Sequence, residues 1–237
     1  MTVSPTARYQ WQESKHGGRI LLSFSNALDA VHFCCHIQQQ LLSLEWSEAL
    51  LGTPPCAEVR GDGGGVVLHR GLPVAMGVTF TDRLEQLDKH PADGRVDYMI
   101  PEVNLAARLA SAATSGQVAV DGAGLASMFE TAVASGSGWA VQRLAADGSL
   151  KAVASVPATA EGEGYQIATS LKGDGPNAPP IILIKALGSY KFEGTGVVTV
   201  ASACPAEVPR DFIGLGQKAK WVPNKHMGRM RSSTSFS

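Results

Sequence analysis

The segment from Gly94 to Leu109, GRVDYMIPEVNLAARL, sets an asparagine and an arginine four residues apart, just after a proline. Proline suits the first position of a helix, where its missing N–H would have no partner anyway. Residues at i and i+4 share a helix face, so the Asn104 amide and the Arg108 guanidinium are expected to project side by side. Asp97 stands seven residues ahead of Asn104, in the strand or turn that leads into the helix. A carboxylate, an amide and a guanidinium converging on one spot suit a ligand with both a hydrogen-bonding base and phosphates.

Other groupings carry less. Asp62-Gly63-Gly64-Gly65 has the glycine content of a phosphate loop, but lacks the Gly-Lys-Ser/Thr ending and a helix start. It reads as a flexible loop. None of the six histidines shows zinc-site spacing with a carboxylate; His32 and His36 share a helix face without a third ligand and read as structural. The four cysteines, Cys34, Cys35, Cys56 and Cys204, form neither a CxxC pair nor a disulfide framework. They read as reduced core thiols, which fits a reducing compartment. No metal site is expected.

Elements that would position these groups can be traced in order. Arg19–Phe24 is a short apolar strand with Gly17-Gly18 marking the turn before it, and 9–13 is its candidate antiparallel partner. Ser25-Asn26 supplies an N-cap for a helix through Leu44, with Ala27, Leu28, Val31, Cys34, Cys35, Leu41 and Leu42 at helical spacing. Leu72–Val78 is the next strand, followed by a polar stretch to Gly94. The helix carrying Asn104 and Arg108 runs from about Pro101 to Ala113, with Gly116 suited to its left-handed end. Strands follow at Gln117–Val120, Tyr165–Thr169, Ile181–Leu187 and Val197–Ala201, the last two as a hairpin around Glu193-Gly194-Thr195-Gly196. The Ser-, Gly- and Ala-rich stretch from 122 to 164 has little pattern and reads as holding an insertion.

A chain of 237 residues, 44% hydrophobic and 17% charged, allows one large domain with a real core. A net charge of −1 gives no support to nucleic-acid binding; the locally basic Lys218–Arg231 reads as a solvated tail. No run reaches the roughly 20 apolar residues of a spanning helix, and the N-terminus has no signal-peptide core. A soluble, intracellular, cytoplasmic protein is expected, alone or within a larger assembly such as a cilium.

The segment around Asn104 and Arg108 resembles the signature of class III adenylyl and guanylyl cyclase domains, which ends in V-N-x-A-A-R with an aspartate at the upstream position held here by Asp97. Further blocks follow in family order. Leu22–Val31 is similar to the strand-into-helix passage F-x-x-A-x-x-A, Gly71–Val78 to the strand L-x-V-R-x-G-I, Ser115–Val120 to S-G-Q-V, and Leu187–Gly194 to the late hairpin L-G-x-x-x-L-K-G. The Ala/Gly-rich loops look most like the algal members. The resemblance implies an α+β fold, a ferredoxin-like sandwich with an antiparallel-dominated sheet and an irregular C-terminal extension. It places the cyclase-homology domain at residues 9–204, after a disordered or partner-bound N-terminus at 1–8 and before a partly disordered extension at 205–237.

The departures fall on one half of the family's site. Counted against the family, the chain opens just ahead of the second strand, so the first strand, with its metal-binding F-x-D-I-x-x-F, is expected to be absent. The second metal aspartate sits in a G-D turn, where this chain has Gly17-Gly18. Gly18 has no side-chain oxygen, and Mg²⁺ takes oxygen ligands. Ser14 stands where the adenylyl type has a lysine beside its base-reading aspartate. The resemblance gives Asn104 the ribose and the attacking hydroxyl, Arg108 the phosphates, and Asp97 the adenine amino group. Family members are head-to-tail dimers with sites at the interface. The chain is therefore expected to bind no metal alone and to need another cyclase domain or a larger assembly as partner. ATP is a candidate ligand, with Mg²⁺ or Mn²⁺ only if the partner supplies carboxylates.

Overall fold

In the computed structural model, residues 8–14, 17–61, 64–82, 88–89, 96–97, 100–134, 137–144, 150–152, 164–169, 180–209, 214–216 and 219–223 are described. The elements, in chain order, are β1 (Arg8–Ser14), β2 (Gly17–Ser23), α1 (Ala27–Ser43), α2 (Glu48–Leu51), β3 (Val59–Arg60), β4 (Val67–His69), β5 (Met76–Val78), β6 (Asp88–Lys89), β7 (Val96–Asp97), α3 (Pro101–Ala112), β8 (Val118–Asp121), α4 (Gly122–Val133), β9 (Trp139–Leu144), β10 (Leu150–Ala152), β11 (Gly164–Thr169), β12 (Pro180–Lys191), β13 (Val197–Pro205) and β14 (Lys220–Val222). The main sheet runs β10-β9-β11-β12-β13-β8-β5, with β14 added to β12. Every pairing in it is antiparallel except β5 with β8. This is a mixed α+β fold with a mostly antiparallel sheet.

Helix α1 starts where Asn26 accepts from the Asp29 N–H at 2.8 Å while its own amide donates to the Asp29 carboxylate at 2.8 Å. That reciprocal contact satisfies an otherwise unpaired first-turn donor. The helix buries Leu28, Val31 and Cys35 beside α4, which buries Leu125, Met128 and Phe129. Together they cover one sheet face, packing on Val118, Val120, Ile182, Ile184, Ala201 and Ala203. The opposite face holds Ala119, Leu187, Tyr190, Phe192 and Val200 against Leu109 and Ala112 of α3. Adjacent strand residues point to opposite faces, so β8 and β13 serve both cores at once.

Strand β12 changes sides partway along. Its register against β13 shifts between Ala186 and Gly188. Ile182 and Ile184 face α1 and α4, whereas Tyr190 and Phe192 face α3. A one-residue slip inverts the facing of everything after it, and here it carries the end of the β12–β13 hairpin to the α3 side.

Both long helices expected from the sequence form, as does the late hairpin. Other segments differ. Gly17 and Gly18 are not a turn; they open β2, opposite Ser14 and Glu13 of β1. The β1–β2 ladder is a separate two-stranded sheet. The strand expected over Leu72–Val78 forms only from Met76, because Pro73 has no N–H to give a ladder and Val74 folds back onto the Leu72 carbonyl at 3.0 Å. Gly116, at φ 76°, serves the turn from Thr114 to Gln117 and not the end of α3, which closes earlier with the Ala113 N–H on the Leu109 carbonyl. The start of the stretch read as an insertion holds α4 and β9, both part of the core. Beyond Pro205, Leu215 and Ala219 pack beneath α3. The tail from 224 lies outside the described residues.

Candidate functional site

Helix α3 begins with Pro101 at its first position and no side-chain cap on Ile100. Its seat on the sheet depends on Gly77 in β5. A Cβ there would lie 2.6 Å from the Ala110 nitrogen and 2.8 Å from the Leu109 Cβ. Only a residue without a side chain allows helix backbone and strand to approach this closely. Leu109 and Ala112 are thereby fully buried, 0% and 2% exposed, while Asn104 on an outer face is exposed.

Arg108 is half-buried, one turn after Asn104. Its guanidinium lies against the β12–β13 turn: a Cβ built on Gly194 would be 3.3 Å from Nη2 and 4.0 Å from Cζ. Among the described residues neither Arg108 nor Asn104 has a hydrogen-bond or ion-pair partner. The structure thus brings Asn104 and Arg108 onto one helix and, among the described residues, gives neither polar head a partner of that kind. Asp97 is placed by its backbone alone. It sits in β7 opposite Asp88 of β6, three residues before Ile100. Its side chain lies outside what is described.

A second polar cluster lies at the start of the same helix, and sequence reasoning missed it. Asp121 ends β8 and caps α4, accepting from the Gly124 N–H at 2.7 Å and from the Thr79 hydroxyl at 2.8 Å. It is 4% exposed. Burial pushes its carboxyl pKa above the ordinary 3.8; the two hydrogen bonds oppose that shift, and the nearby Glu102 carboxylate adds to it. Glu102, in the first turn of α3, has one carboxylate oxygen that is buried without a hydrogen-bond partner. The available signal was an aspartate directly ahead of the Gly122–Val133 apolar pattern, an N-cap signature.

Gly18 offers no side-chain donor, and among the described residues no three His, Cys, Asp or Glu side chains converge. His32 packs its ring edgewise on Trp139 at 5.5 Å, and burial and His36 lower its pKa. No helix among the described residues is long and apolar enough to cross a membrane.

Comparison with known proteins places a cyclase-related region in this chain. It is 35% identical to an adenylate cyclase of Mycosarcoma maydis over 108 residues, 46% of this chain and 4% of that protein. It is 35% identical to an adenylate cyclase of Podospora anserina over 104 residues, covering 44% and 5%. With an adenylate cyclase of Schizosaccharomyces pombe the identity is 33% over 110 residues, covering 46% and 6%. The chain thus spans a small part of these relatives' length. No protein-family model and no solved structure matches it.

Proposed function

We propose that this chain is a class III nucleotide cyclase homology domain that makes no cyclic nucleotide on its own and serves as a structural and regulatory interaction module. The observation that carries the reading is the asymmetry of its polar equipment. Asn104 and Arg108 stand on α3, whereas Gly18, which has no side-chain oxygen, stands where the resemblance puts a metal carboxylate. A head-to-tail pair of identical chains would repeat the same deficit at both sites. Its partner is another cyclase domain or a larger assembly, and it works in the cytoplasm. The relatedness to adenylate cyclases over about 45% of the chain supports a cyclase-related region within it.

A second reading has its own support in Arg108. A half-buried guanidinium with no ion-pair partner among the described residues is suited to an incoming anion. In that case the chain is the nucleoside-side half of a heterodimeric adenylyl cyclase converting ATP to cyclic AMP and pyrophosphate. Asp97 accepts from the adenine amino group, Asn104 orients the ribose, and Arg108 opposes charge growing on the leaving phosphates. Metal ions with the ATP would be held by the partner's carboxylates. Assaying cyclic AMP with this chain alone, and then with a metal-competent cyclase domain, separates the two. Product from the chain alone would overturn both, and product only from the pair selects the second.

A further inference from the structure

We infer that Gly194 is a positioning residue for Arg108, and that the β12–β13 turn is the surface against which the guanidinium is set. The inference rests on the reading of Arg108 as the cation that faces phosphate. Gly194 stands in an exposed turn at φ 69°, where glycine is favoured on backbone grounds alone. The backbone does not account for the second feature. Among the described residues, its two chain neighbours aside, the space a side chain would take at Gly194 is bordered within 4 Å by the Arg108 guanidinium alone. Gly196, two residues on in the same turn, has open space around it.

The geometry comes from elements far apart in sequence. The register shift between Ala186 and Gly188 turns Tyr190 and Phe192 toward α3, and Phe192, 2% exposed, anchors the strand end in the core beneath Leu109. The Thr195 N–H returns to the Phe192 carbonyl at 3.2 Å and closes the turn. The turn is thus held by the core, and Arg108 is the movable partner. A Cβ at 3.3 Å from Nη2 is tighter than ordinary contact, and the far end of a long side chain yields more easily than a closed turn. A residue at 194 should therefore leave the fold in place and swing the guanidinium away from its position over the turn.

The test uses Gly194→Asn, because asparagine tolerates the left-handed backbone better than most residues while still adding a Cβ. Gly196→Asn is the control, and Gly194→Ala is the second, smaller variant should asparagine disturb the fold. The Arg108 Nε–H resonance is followed by NMR, assigned by its loss in Arg108→Lys. It should shift in the Gly194 variants and stay in place in Gly196→Asn. An unmoved resonance in folded Gly194 variants, or an equal shift in the control, overturns the inference. Inorganic tripolyphosphate is the ligand probe. Its affinity should fall about tenfold in Gly194→Asn, the scale of one weakened charge-assisted hydrogen bond, with no further loss when the change is made in Arg108→Ala. Additive losses would overturn positioning through Arg108. If the wild-type chain binds no tripolyphosphate, the phosphate-facing reading of Arg108 fails, and the NMR comparison alone decides the role of Gly194.

Discussion

Gly77 of β5 and Ala110 of α3 touch backbone to backbone. A Cβ on the glycine would lie 2.6 Å from the Ala110 nitrogen. The face that carries Asn104 and Arg108 is held in place by this contact, on a strand that shows no functional group at all. Replacing Gly77 with alanine should lift α3 from the sheet. The expected loss is about 1–3 kcal/mol, as for other overpacked cores, and Gly77→Val should cost more. Urea unfolding of the two variants measures this; wild-type stability in Gly77→Ala would show that the helix is not seated here.

Asp121 makes stability depend on pH with an unusual sign for a carboxylate. Its folded pKa lies above 3.8, mainly through burial. In the window between 3.8 and that raised value, the folded chain holds the proton more tightly than the unfolded chain. Unfolding therefore releases it, and this residue's contribution to stability falls as pH rises through the window. Asp121→Asn keeps an oxygen for the Gly124 N–H and removes the titration, so its stability relative to wild type should improve from pH 3.5 to 7. Denaturant midpoints at several pH values provide the check. Asp121→Ala should lose about 1 kcal/mol or more at every pH, because the cap itself is gone.

Arg108→Ala separates the two functional readings. Paired with a metal-competent cyclase domain, it should lower turnover by about 10²–10³ if the guanidinium opposes charge in the transition state, with a much smaller effect on ATP binding. Asp97→Ala should instead blur the choice between ATP and GTP. If the chain is only an interaction module, cyclic-nucleotide output in any pairing is the same for wild type and both variants, provided all three are equally folded.

Cys34 and Cys35 should resist alkylation while the chain is folded. Burial pushes the Cys34 thiol up to about 12 and the Cys35 thiol well above its ordinary value, so little thiolate exists at pH 8. Iodoacetamide labelling with peptide mapping should find both slow in the native chain and fast in urea. Rapid native labelling of Cys35 would contradict its place between α1 and the sheet.

Local chemistry was legible in the residues themselves. The Asn26 cap, the Pro101 start and the i, i+4 spacing of Asn104 and Arg108 all depend on neighbours within one helix turn, and the two helices form where that chemistry put them. The β12–β13 hairpin was legible for the same reason, since its strands flank a short glycine-containing turn. Segment 122–144 was not, although Asp121 signalled a cap, because small residues carry little periodicity until neighbours bury them. Gly17 and Gly18 read as a turn by composition, but pairing with β1 drew them into a strand. What tertiary structure alone decided is how the site is supported. The close seat of α3 on Gly77 and the meeting of Arg108 with Gly194 join segments dozens of residues apart, and the register shift in β12 decides which face its end meets. No local spacing encodes such contacts; they exist only once the sheet has set which face each residue meets.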